Sequence, residues 1–503
     1  MSRSLLFSRP GRLLQVAPSL LALALAGCAV GPDFVRPTPD APGDWTQWHG
    51  GDDSLRPTVE GIVTNGPWWK AYGDPVLEVL QRRAQANSPD LKTAALHLAQ
   101  ARVQRLSTKA QTLPEVDLSA GVTRQRQSEN GASTRLVRAI GGDQTDSLTQ
   151  VLSEPFTLYQ AGVDVSWEPD LWGRIRRSIE ASDADVQQQA ALLDLTRLSI
   201  SDTLASAYFD LRTTQQRIAI ARDDIKALQA RMSLLEARLH GGVIDHLDTS
   251  RQHTELAALE ATLPALLAQE NSDANQLALL VGERPGALAD VLQPVQADAA
   301  PALPDLALGL PSELARRRPD IRAAEAALHS ATANIGIARA DLYPSVRLGA
   351  KFGYESYQSG VLTDWGSRTW SVGPSLDLPI FDHGRRVRVV QLRQLQQQEA
   401  AVEYQKTVLQ AWKEIDDALA SYASLRQRDA LLREREASAK DAWTLVNAKY
   451  DAGVVDFLSV IDSQRSYLQA RNDLAQNRGQ LQAAFAHVNL AAGNLGGEDD
   501  DPH

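Results

Sequence analysis

At 503 residues the chain is long enough for about three ordinary domains, and a net charge of −11 argues against a nucleic-acid binder. One cysteine excludes a disulfide within the chain. No Gly-x-Ser-x-Gly elbow, His-Glu-x-x-His, P-loop or Rossmann glycine pattern points to an enzyme.

The N-terminus reads as a targeting segment. Arg3, Arg9 and Arg12 precede an apolar run from Leu13 to Ala26 that closes on Leu25-Ala26-Gly27-Cys28. The run is too short to span a bilayer as a helix, so residues 1–27 are expected to be a cleaved signal peptide. The closing motif resembles a bacterial lipobox, which implies diacylglycerol and an N-acyl chain on Cys28; Ala29, rather than Asp, after it points to the outer membrane. An ordinary signal with a chance cysteine is the alternative. Cleavage removes three arginines and no acid, taking the charge from −11 to −14. Residues 28–66, rich in Pro, Gly and Asp with Trp45 and Trp48, suit an extended tether.

Pro67-Trp68-Trp69 leads to Pro75 and a helical pattern running to about Leu113. Four stretches then alternate with period two. The first carries Val116, Leu118, Ala120 and Val122; the second Ala161, Val163, Val165 and Trp167; the third Val346, Leu348, Ala350, Phe352 and Tyr354; the fourth Trp370, Val372, Leu376 and Leu378. Each has the length of a tilted transmembrane strand. A half-buried soluble sheet alternates in the same way. Aromatics at the strand ends (Phe156, Tyr159, Trp167, Tyr343, Tyr354, Tyr357, Trp370) and a long polar loop over 127–156 favour the membrane. Pro374 would remove a ladder hydrogen bond, so a bulge is expected there.

After each strand pair, Gly173-Arg174 and Gly384-Arg385 open proline-free helical patterns to Gly241 and about Ala452. At 1.5 Å per residue each is roughly 100 Å long, a coiled-coil length. Both turn at a Gly-Val and return along a helix of about 40 residues. Between them, residues 289–310 are proline-rich, as a linker would be, and 498–503 form an acidic tail.

The chain therefore repeats itself. PDLKTAALHLAQARVQRLSTKAQTLP from Pro89 returns as PDIRAAEAALHSATANIGIARADLYP from Pro319. Gly242 and Gly453, then Gly282 and Gly493, fall at matching offsets. Two copies are expected over 67–288 and 311–497, each a helix, two strands and a long helical hairpin. Four strands cannot close a barrel, and open sheet edges are not tolerated in lipid, so several chains must combine. A mixed α+β membrane protein follows, and three copies would give a twelve-stranded barrel above a helical tunnel.

The duplicated strand–helix hairpins resemble the TolC-type outer-membrane efflux factors. Gly31-Pro32-Asp33-Phe34-Val35-Arg36-Pro37, Trp68-Trp69 with Asp74-Pro75, and Leu310-Pro311-Ser312-Glu313-Leu314 with Arg317-Arg318-Pro319-Asp320-Ile321 and Glu325 are similar to its NodT-like lipoprotein branch. The resemblance covers residues 25–497. It implies a homotrimer with a twelve-stranded barrel, a periplasmic tunnel and an equatorial region. It also implies docking on a periplasmic adaptor and an inner-membrane pump, commonly of the proton-driven RND type. By position, Tyr450, Gly453, Leu458 and Asp462 match the family's tip and gate. Leu458 and Asp462, four apart, share a helix face; in three copies they would make a dewetting ring and a cation-attracting ring. Without the resemblance they read as a helix contact and a solvated surface residue. The basic residue that braces some relatives' gates is replaced by Val454 and Val455, and Arg251 is a candidate partner for Asp462. Gly242, Val243, Gly453 and Val454 are expected to dock the adaptor, although a glycine at a helix end is commonly only a C-cap. Asp245 and Asp456 are expected to cap the return helices. His240, His246 and His253 near the first tip have the spacing of unliganded surface histidines, and no metal or noncovalent cofactor is expected. Two other functions fit less well: a type I secretion exit duct, and a non-conducting coiled-coil envelope lipoprotein.

Overall fold

The computed structural model describes residues 29–38, 51–55, 67–131, 145–294 and 317–495, with single residues at 41 and 135. Cys28, the signal segment, Trp45, Trp48, most of the proline-rich linker, Leu310 to Leu314 and the acidic tail lie outside them. The chain divides into two compact units: Met1–Val35, Ala101–Asp185 and Leu328–Glu399 in one, and Arg36–Gln100, Val186–Ala327 and Ala400–His503 in the other.

In chain order the described elements begin with α1 (Pro75–Asn87), α2 (Pro89–Ala110), β1 (Glu115–Gln125), α3 (Thr145–Ser153) and β2 (Phe156–Trp167). Then follow α4 (Arg174–His240), α5 (His246–Leu280), α6 (Pro319–Ala340), β3 (Ser345–Ser356), β4 (Arg368–Asp377), α7 (Arg385–Asp451) and α8 (Phe457–Ala491). The two halves match in length: 22 residues in α2 and α6, 67 in α4 and α7, 35 in α5 and α8.

Three expectations need correction. The helical run from Pro75 breaks at Ser88, whose ψ of 127° is extended; Pro89 sterically disfavours a helical residue before it and supplies no N–H, so two helices form instead of one. The β3–β4 register runs one to one through Leu348↔Pro374, without the bulge. β4 borders the sheet within this chain, and an edge strand can carry a proline with its missing N–H turned from the ladder. Within the loop over 127–156 lies α3, whose Leu148, Val151 and Leu152 recur at helical spacing.

The first unit contains the sheet, antiparallel throughout in the order β1-β2-β3-β4. The second unit is helical, and its core is built on the tryptophan pair of the first repeat. Trp68 and Trp69 meet edge to face at 5.7 Å, and Tyr72 packs on Phe209 and Phe485 and donates to the Gln482 carbonyl at 2.6 Å. Asp74 caps α1 through the Val76 and Leu77 N–H groups and also accepts from the Tyr208 hydroxyl. In the second repeat Arg318, 6% exposed, fans onto Asp320, Glu414 and the Ala491 carbonyl. These motif residues are structural.

Two titrating groups on this helical framework set a pH dependence. Asp224 on α4 is half-buried 3.6 Å from Arg471, and desolvation pushes its carboxyl up to about 6 although the arginine pulls it down. His487 on α8 is raised chiefly by its hydrogen bond to Asp202 at 3.0 Å. Raised values mean that the folded chain holds more protons than the unfolded one. The His487 contribution is complete below the ordinary histidine value and is lost as pH rises through the folded one. The Asp224 penalty builds from the ordinary carboxylate range up to about 6. The protein is therefore expected to melt higher at pH 5.5 than at pH 8. Asp224→Asn should gain about 1–2 kcal/mol at pH 8 and narrow the gap; thermal melts showing no narrowing would contradict this.

Candidate functional site: sheet faces and hairpin tips

The register sorts the sheet into two chemically opposite faces. On one, Leu118, Val163, Phe352 and Trp370 lie in a row, and Val116, Val165, Ala350 and Val372 in the next. Leu348 and Leu376 extend this face toward the helix end. No described part of the chain covers it: Leu118 is 81% exposed and Val372 72%. Soluble proteins rarely leave so continuous an apolar surface in water. The other face carries Asp117, Asp164, Lys351 and Glu355. Lys351 pairs with Asp164 at 3.4 Å, Ser119 donates to Asp164 at 3.3 Å and Gln160 donates to Glu355 at 2.8 Å.

Strands of 10 to 12 residues rise roughly 33–40 Å, and tilted by about 40° they match the hydrocarbon core of a bilayer. Aromatics gather at both ends of the sheet. Phe156, Tyr159, Tyr354, Tyr357, Trp365 and Trp370 stand at or near the hairpin end. Trp167, Trp172, Tyr343 and Phe381 stand at or near the helix end, where Trp172 stacks on Tyr343 at 4.8 Å and donates to the Pro344 carbonyl at 2.7 Å. Trp172, Trp365 and Phe381 were not anticipated because they lie in turns, just beyond the alternation that marks the strands.

The two hairpin tips in the second unit are built alike. α4 ends with Gly242 N–H on the Leu239 carbonyl and Val243 N–H on the Arg238 carbonyl; α7 ends with Gly453 on Tyr450 and Val454 on Lys449. This double bond closes a helix only with a left-handed residue, and both glycines have φ of 72°. Asp245 accepts from the Leu247 N–H at 2.7 Å and Asp456 from the Ser459 N–H at 3.0 Å, so each return helix is capped as expected. Hydrogen bonds from Ser459 hold the Asp456 carboxyl below its ordinary value. Val243 and Val454 stand in water, 74% and 70% exposed.

Between the tips, Leu235, Phe457, Val460 and Ile461 form a small core. Tyr450 packs against it, 5.4 Å from the Phe457 ring, with the Arg238 guanidinium 5.6 Å from its own. Leu458 and Asp462 are on the solvent side of α8. Asp462 lies 3.9 Å from Arg465, and Arg465 is itself held by Glu255. Arg251 pairs with Asp248 at 3.9 Å, so the Arg251–Asp462 pair is not formed within the chain. His240 turns its Nδ1 to the Glu236 carbonyl.

The comparisons with known proteins agree with this geometry. The family described as outer membrane efflux protein matches residues 80–283 and 310–494. The chain is 33% identical over 447 residues to the pyoverdine export outer membrane protein OpmQ of Pseudomonas putida, covering 86% of this chain and 89% of that one. It is 31% identical to the outer membrane protein OprJ of Pseudomonas aeruginosa, over 96% of both. The solved structure of the outer-membrane channel OprN superposes with a TM-score of 0.81 at 30% identity, covering 93% of this chain and 99% of that one. An uncovered apolar sheet face backed by a polar one, in a helical chain matched nearly end to end by these channels, leaves one conclusion: the chain is a member of the outer membrane efflux protein family.

Proposed function

We propose that the protein is the outer-membrane exit duct of a tripartite efflux pump, passing small molecules from a periplasmic adaptor and an inner-membrane transporter to the exterior. One observation carries the reading: the sheet is apolar and uncovered on one face and charged on the other, the arrangement of a barrel wall between lipid and water. A wall of four strands has two free edges, β1 and β4, which must pair with other copies because lipid cannot satisfy them. A homotrimer of twelve strands is the assembly we infer, with the duplicated halves 67–288 and 311–497 supplying two strands and a hairpin each. The matched helix lengths and the paired left-handed glycines Gly173/Gly384, Gly242/Gly453 and Gly282/Gly493 support that duplication.

In this reading Cys28 carries the lipid, residues 28–66 are the tether, and 289–310 are the linker. The exposed Val243 and Val454 beside Gly242 and Gly453 meet the adaptor. Leu458 and Asp462 form the gate rings, with Tyr450 bracing them from the tip core. The inner-membrane partner is of the RND type, and conduction needs no catalysis. Membership of an efflux family favours this over a type I secretion exit, and the two-faced sheet favours it over a non-conducting bridge, which would need the helices alone. Deleting the gene should raise intracellular accumulation of pump substrates, scored with a panel of dyes and antibiotics. Restoration by the wild-type gene but not by Val243→Asp with Val454→Asp is expected. Unchanged accumulation across the panel, with the adaptor and pump genes expressed, would contradict the efflux role.

A further inference from the structure

Residues 29–36 lie along α4 and α6, and their contacts are more specific than a passive tether requires. The Val30 N–H donates to the Trp172 carbonyl at 3.0 Å. Ala29 presses on Gly173, where a Cβ would stand 2.6 Å from the Ala29 Cα. Gly31, at φ 114°, crosses over Gly336 of α6 so closely that a Cβ on Gly31 would stand 2.5 Å from the Gly336 Cα. A Cβ on Gly336 would in turn stand 2.8 Å from the Arg177 Cγ. Backbone lies on backbone there, and any side chain would lift the strap.

Arg177, whose side chain is 6% exposed, completes the seat. It donates to Asp33 at 2.6 Å and to Glu180 at 2.7 Å. Glu180 also meets His329 at 3.0 Å, and the His329 ring stacks flat on Phe34 at 4.3 Å. Arg36 donates to Glu325 at 2.6 Å. Asp33, Val35 and Arg36 are themselves largely exposed.

We infer that Gly173, Gly336 and Arg177 are positioning residues that seat the N-terminal strap and fix the point where the lipid anchor leaves the protein. This rests on the acylation of Cys28 proposed above. The described strap begins at Ala29, beside Gly173 and next to the Trp172–Tyr343 pair at the helix end of the sheet, and the chain tethers a lipid on the preceding residue to that point. The acyl chains thus enter the leaflet at the rim of the same sheet whose apolar face meets lipid. The strap also ties α4, from the first repeat, to α6, from the second.

The test is chymotryptic cleavage after Phe34 in the full, detergent-extracted protein, with the released N-terminal fragment weighed by mass spectrometry. Gly336→Leu fills the seat, and Gly31→Leu lifts the strap without altering the helices. Both are expected to be cut at least tenfold faster than wild type, with the melting temperature of Gly31→Leu unchanged. Wild-type rates in both glycine variants would overturn the seat. So would acceleration in Gly336→Leu alone, which would trace the effect to damaged helices. The fragment mass reports separately on the anchor: an unmodified Cys28 would overturn the exit point while leaving the cleavage contrast to judge the seat.

Discussion

Leu118→Lys is expected to reduce the amount of protein in the outer membrane at least tenfold, whereas Ser119→Lys, one residue along the same strand, is expected to leave it close to wild type. The two positions point to opposite faces of β1. Leu118 is in the apolar row with Val163, Phe352 and Trp370, where a lysine would face the hydrocarbon. A lysine at the midplane of a membrane barrel costs roughly 2–4 kcal/mol, repeated in each copy of the proposed trimer. Ser119 pairs with Gly162 on the face that already holds Asp164 and Lys351, so a lysine there meets water and an aspartate. Fractionation of envelopes with antibody detection checks both. Equal amounts of the two variants in the outer membrane would mean that the exposed apolar face does not meet lipid.

The second large effect is expected at the gate. Leu458 and Asp462 share one face of α8, one turn apart, and among the described residues Asp462 has its ion pair with Arg465 only at 3.9 Å. In the proposed homotrimer, three leucine side chains would narrow the lumen to an apolar ring that expels water, and three carboxylates next to it would concentrate cations. Leu458→Ala removes the ring and should raise the single-channel current severalfold. Asp462→Ala should instead weaken the preference for cations, read as a shift of reversal potential in a salt gradient. The tip core of Leu235, Phe457, Val460 and Ile461 is untouched by either change, so the hairpin should stay folded. A variant pair with wild-type current and wild-type selectivity would remove the gate from this position while leaving the duct intact.

Much of this was legible in the amino-acid order because the two hydrophobic periods are clean. Alternation placed all four strands, although β2 begins at Phe156, five residues before the alternation becomes clear, and β4 stops at Asp377 before Leu378. The long helices announced themselves through proline-free runs ending at Gly242 and Gly453, where a left-handed residue is required. Other features depend on partners distant in sequence. No local pattern says that Leu118 faces Val163, which faces Phe352; the continuous apolar row exists only once the register is set. Ser88 looked helical because its neighbours are, and only the proline after it decides otherwise. Tyr450 matched a gate pattern by position, yet its ring is spent largely on the tip core with Phe457. Among the glycines of the strap seat, Gly336 carries no signal of its own. It lies in the C-terminal part of α6 and acquires its meaning only when Gly31, some three hundred residues earlier, is laid across it.

The most direct test of the duct is planar-bilayer conductance of the purified, membrane-extracted protein, wild type beside the Leu458→Ala/Asp462→Ala double variant. A small wild-type current that rises clearly in the double variant is the predicted result, and it would establish both a pore and a constriction at the second hairpin tip. The absence of any channel in either protein, from material shown to be folded and oligomeric, would contradict the conduit and leave a non-conducting envelope bridge as the better description.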